Sequence, residues 1–145
     1  RVYDALGVGD ATRRFVSVPL VALASLVGLF TLALMRTGQP AVHKRLMILT
    51  MAPMSQAAIA RWFQYFLSPP GAVGAPPVFL AIPPGVLSMG FIIAGAIHDK
   101  RTSGHVHPVY KIGGPLMFLL MLLPVPLSGT TGWMAFVHAL ERLAP

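Results

Sequence analysis

The stretch from Phe15 to Met35 limits this chain's fold more than any other feature. It is almost wholly apolar, carries no charge, and lies between Arg13-Arg14 and Arg36. About 20 apolar residues, at about 1.5 Å rise each, cover the roughly 30 Å of hydrocarbon in a bilayer. Three further stretches read the same way, at about residues 46–67, 78–97 and 109–127. They lack the broad polar face that a long helix of a soluble core needs. The expectation is an all-α fold, a transmembrane bundle of about four helices in one domain covering 1–145. After the break Ser128-Gly129-Thr130-Thr131-Gly132, residues 133–143 predict a short C-terminal interfacial helix.

Composition agrees. Only 10% of residues are charged and 55% are hydrophobic, against about 25% charged in a typical soluble domain. Mean hydropathy is +0.72. The net charge of +7 comes from 11 Lys and Arg against 4 Asp and Glu. These bases sit in short clusters between apolar runs, a pattern of membrane topology rather than of nucleic-acid binding. The expected partners are therefore a lipid bilayer and other membrane subunits, with no nucleic acid. The absence of cysteine excludes disulfides and thiolate metal sites.

Pro19, Pro53, Pro83-Pro84, Pro115, Pro124 and Pro126 fall inside the apolar stretches. Each removes a backbone donor, so Pro-kinked spans are expected. Ala24/Gly28, Ala81/Gly85 and Gly90/Ala94 are four apart and would permit close helix approach. The connection between the first two stretches carries Arg36, Lys44 and Arg45, and that between the last two carries Lys100 and Arg101; the uncharged 68–77 connection carries none. Counting Lys and Arg places the first and third connections in the cytoplasm and both ends of the chain outside. Arg13 and Arg14 run against that rule. Trp133 and Tyr110 fit aromatic belts at the two interfaces.

This topology gathers His43, His98, His105 and His107 at one interface, beside Asp99. Imidazoles ligate haem iron or other metals and titrate near neutrality; they also sit at interfaces beside lipid phosphates with no ligand role. Arg61 is expected to lie within the second span, with Gln56 and Gln64 nearby. An ionisable group there needs a partner or a cavity, unless its side chain snorkels to the headgroups past Trp62 and Tyr65. With no acid expected inside any span, the counter-charge would come from Asp4, Asp10 or Glu141 at the outer interface, or from lipid, a cofactor or another subunit. The candidate cofactor contacts are thus His43, His98, His105, His107 and Arg61. No nucleotide loop, Ser/His/Asp arrangement or carboxylate pair is present to support enzymatic hydrolysis.

Four motifs carry a resemblance: His43-Lys44-Arg45-Leu46-Met47, Ala57-Ala58-Ile59-Ala60-Arg61-Trp62, Asp99-Lys100-Arg101-Thr102-Ser103-Gly104-His105-Val106-His107-Pro108, and Ser128-Gly129-Thr130. Over nearly its whole length the chain resembles the C-terminal half of uncharacterised bacterial membrane proteins with about seven spans. The resemblance implies three further spans upstream, hence an N-terminus that is incomplete here. Those proteins tend to have a polar S-Q-P-L-R-like stretch in the last span, where this chain reads Met121-Leu122-Leu123-Pro124-Val125-Pro126-Leu127. A polar cavity there would be lost.

The resulting expectation is a non-catalytic, multi-pass subunit of the bacterial inner (cytoplasmic) membrane. It would pack within a larger energy-transducing complex, photosynthetic or respiratory, and contact lipid, quinone or pigment. The alternative is a small membrane redox protein holding haem or metal through the cytoplasmic-side histidines.

Overall fold

The computed structural model describes residues 2–69 and 71–143. They form helices α1 (Val2–Ala5), α2 (Gly9–Phe15), α3 (Ser17–Met35), α4 (Pro40–Leu67), α5 (Ile82–Ser88), α6 (Gly90–Ser103), α7 (Pro108–Leu122), α8 (Pro124–Ser128) and α9 (Thr131–Leu143). A 3₁₀ turn, Val78–Ala81, precedes α5, and no strand occurs among the described residues. The molecule is an all-helical membrane-protein fold. Three helical stretches, Gly9–Met35, Val78–Ser103 and Pro108–Ser128, are long and apolar enough to cross a membrane.

The prolines set where these stretches break. Pro19 has no N–H for the Phe15 carbonyl, and the α2–α3 joint falls there. Pro83 and Pro84 withhold donors from Phe79 and Leu80, which lie in the 3₁₀ turn rather than in α-helix. Pro124 and Pro126 do the same to Leu120 and Leu122, and α7 stops at Leu122. Among the described residues, Pro53 and Pro115 are the prolines interior to a long helix. Pro19, Pro83, Pro84 and Pro124 lie in first turns, where a missing donor costs little. At the joint at Met89 the Gly85 carbonyl accepts from both the Ser88 hydroxyl, at 2.6 Å, and the Met89 amide, at 3.2 Å.

α4 differs from the expected second span. It begins at Pro40 and is the longest helix, at 28 residues, yet Gln56, Arg61 and Gln64 leave it less apolar than the other three stretches. Its first half is shielded, whereas Arg61 and Gln64 farther along are exposed. α4 packs against α3, α5, α6 and α7, and its buried residues Arg45, Leu46, Leu49, Ala52 and Pro53 recur every three to four positions, a single helical face. Leu49 and Ala52 join Met89, Ile92, Tyr110 and Met117 in the core.

Close approach uses one glycine that spacing suggests, Gly85, and two that it does not, Gly95 and Gly113. A Cβ on Gly113 would collide with Leu49, one on Gly95 with the Tyr110 ring, and one on Gly85 with Met121, whereas Gly28 and Gly90 face open space. Outside the core the surface is apolar. Leu23, Val27, Phe30 and Leu34 form an exposed stripe along α3, and Ile112, Leu116, Leu119 and Leu123 form another along α7 and its end. Such stripes are what lipid solvates.

The break after Ser128 is a helix start. Thr130 Oγ1 accepts from the Trp133 amide at 3.2 Å, capping α9. α9 packs on α2 and α8. Trp133 is buried there and its Nε1 donates to the Arg13 carbonyl at 3.1 Å, so it belongs to the packing and not to an exposed aromatic belt.

Candidate functional site

The polar centre of the molecule is a pair that sequence spacing did not reveal. Arg45, on the first turns of α4, meets Asp99, near the end of α6, through two parallel bonds: Nε to Oδ2 at 2.6 Å and Nη2 to Oδ1 at 2.7 Å. Both side chains are more than nine-tenths buried. Nη1 of Arg45 also donates to the Ala41 carbonyl. A bidentate guanidinium–carboxylate pair with its third nitrogen also bonded is the arrangement that makes such burial tolerable. The helix that carries the third apolar stretch continues past residue 97 to Ser103, and Asp99 lies in its polar last turns.

The long basic motif decodes as the joint between α6 and α7. Asp99 binds Arg45. The Thr102 hydroxyl donates to the His98 carbonyl at 2.8 Å. Gly104, at φ +74°, ends α6 in the left-handed conformation that closes helices. His107 then caps α7, its Nδ1 accepting from the Val109 amide at 3.2 Å, with Pro108 at the first helical position. Desolvation, followed by the nearby Arg45 guanidinium, holds the His107 imidazole below its ordinary value, which keeps Nδ1 free to accept.

The expected histidine cluster is dispersed by this geometry. The His43 ring bonds the Ala33 carbonyl at 2.7 Å and ties the start of α4 to the end of α3. His105 is exposed and its Nδ1 bonds the Ser103 carbonyl at 2.9 Å. His107 is engaged in its cap, and His98 is exposed. No group of three His or acidic residues among the described residues could hold a metal ion.

His98 does line an open pocket of about 380 Å³ between α4 and α6. Lys44, His98 and the Arg45–Asp99 pair stand at its outer level. Ile48, Phe91 and Ala94 line it one and two turns deeper, and Tyr110 backs it. Tyr110 is 4% exposed, seated where Gly95 offers no Cβ, so it too is a core residue and not part of an aromatic belt. A second cavity, beside Met121 and Pro124, holds about 20 Å³, room for about one water. Its lining is apolar apart from Ser25 and Gln56, as the apolar 121–127 stretch implies.

At the opposite end, Arg13 gathers the acids expected near Arg61. Its Nη2 binds Asp4 at 2.8 Å, its Nη1 binds Asp10 at 3.1 Å and its Nε binds Glu141 at 2.9 Å. The Arg13 contact draws the Glu141 carboxyl below its ordinary value. Arg61 is exposed on α4 and makes no ion pair among the described residues. It shares the outer third of that helix with exposed Gln64, Trp62, Tyr65 and Phe66. Their spacing was visible in sequence; that they project together from the bundle was not.

No family model matches the chain, and neither a curated protein nor a solved structure shows significant similarity to it.

Proposed function

We propose that the chain is a non-catalytic integral subunit of the bacterial cytoplasmic membrane, packing against partner helices within a larger, energy-transducing assembly and contacting lipid, quinone or pigment at its surface. The observation that supports this reading is the outer third of α4. Arg61 and Gln64 project from it beside Trp62, Tyr65 and Phe66, with no counter-charge among the described residues. A guanidinium at membrane depth is costly against lipid alone. Arg, Trp and Tyr are also the residues that dominate the energetics of protein interfaces. Acids that could neutralise Arg61 within the chain are instead committed to Arg13 or Arg45. A carboxylate or an amide-rich face on a neighbouring helix answers that need.

Isolation from native membranes in mild detergent is the test. The wild-type chain is expected to carry a stoichiometric membrane partner, and Arg61→Leu to lose it while keeping its helical content. A stable monomer with nothing co-purifying would sink the proposal.

A further inference from the structure

We propose that the pocket between α4 and α6 seats the phosphodiester headgroup of an anionic phospholipid, its acyl chains lying along Ile48 and Phe91. The proposal rests on the chain being embedded in a bilayer, and uses the end of the molecule remote from Arg61. α4 runs into the bundle from Lys44 to Ile48, while α6 runs outward from Phe91 to His98. The two helices thus give the pocket a basic, hydrogen-bonding mouth and an apolar interior in the same groove. That gradient matches an amphiphile with a charged head and hydrocarbon tails.

Charge selects an anionic head. The acid at this end, Asp99, is consumed by Arg45. Lys44 at the mouth, and Arg36, Lys100, Arg101 and Lys111 around it, are exposed and make no ion pair among the described residues. At the other end Arg13 alone binds three carboxylates, so the excess positive charge is concentrated around the pocket. Juxtamembrane bases attract anionic lipid in this way, and the groove gives one of them a defined seat. The bonded pair behind Lys44 also keeps the Asp99 carboxylate from repelling a phosphate.

Native mass spectrometry of the full chain in mild detergent tests this. Phosphatidylglycerol and phosphatidylcholine of identical acyl chains are titrated separately, with inorganic phosphate as a third arm. Phosphatidylglycerol is expected to be retained preferentially. Lys44→Gln is expected to weaken it roughly five-fold, the effect of about 1 kcal/mol per basic residue near a membrane surface. Arg36→Gln removes the same charge at the same end but outside the pocket, and is expected to leave retention nearly unchanged. Equal retention of the two lipids, equal losses in the two variants, or inorganic phosphate binding as tightly as phosphatidylglycerol would each overturn the site. Loss of partner capture in Arg61→Leu with lipid retention intact bears on the subunit reading alone, and a protein freely soluble without detergent would remove the bilayer premise of both.

Discussion

Asp99 and Arg45 are 54 positions apart and nothing in their neighbourhoods marks them as partners. Each sits in a run of bases and histidines, and the topology count treats Arg45 as one more connection charge. Their meeting requires that α4 and α6 run in opposite directions with their interfacial turns level. Once buried, neither tolerates loss of the other, because an uncompensated charge then remains out of water. Asp99→Asn, which preserves shape, is expected to lower stability by about 3–5 kcal/mol, whereas Arg45→Met combined with Asp99→Leu restores most of it. Circular dichroism melts in detergent measure both; an unaltered midpoint for the single variant would remove the pair from the folded protein. The histidines show the complementary lesson. Their shared end of the bundle was legible, but local backbone claims three of the four rings: His43 an α3 carbonyl, His105 the Ser103 carbonyl, His107 a helix start.

Helices were read more reliably than the faces they bury. Three of the four expected stretches are long and apolar enough to cross a membrane, and the proline positions account for most of the joints that divide them. Spacing, however, says which residues share a face and not what that face meets. Gly28 and Gly90 stand in small-residue pairs yet touch nothing, while Gly113, unmarked by any pair, lies against fully buried Leu49. Gly113→Ala is therefore expected to destabilise by about 1–3 kcal/mol through overpacking. Gly28→Ala, with room for its methyl, should stay within about 0.5 kcal/mol of wild type. Thermal unfolding of the two variants side by side checks the packing, and equal effects would contradict it. α4 illustrates why apolarity alone misjudges an element. Its flanking helices shield its inner half while its polar outer third stands exposed, so its average apolarity hides two different surroundings.

For the molecule as a whole, the Arg45–Asp99 bond puts the α3–α4 and α6–α7 connections at one end, as alternation of the spans requires. The chain contains no cysteine, so single-cysteine labelling reports topology without background. Thr37→Cys and Ser103→Cys are expected to react with a membrane-impermeant maleimide from the cytoplasmic side, and Ala72→Cys from the opposite side; labelling of all three from one side would refute the arrangement. That the α3–α4 and α6–α7 connections share an end was legible from the alternation of the apolar stretches. Function was less readable, because the residues left without structural duties, Lys44, His98, Arg61 and Trp62, acquire meaning only from what surrounds them. The clasp on Arg13 has its own corollary. Carboxylates from positions 4 and 141 converge on a single guanidinium, so one side chain staples α1 and α9 to α2, and its loss would free three segments of the bundle at once.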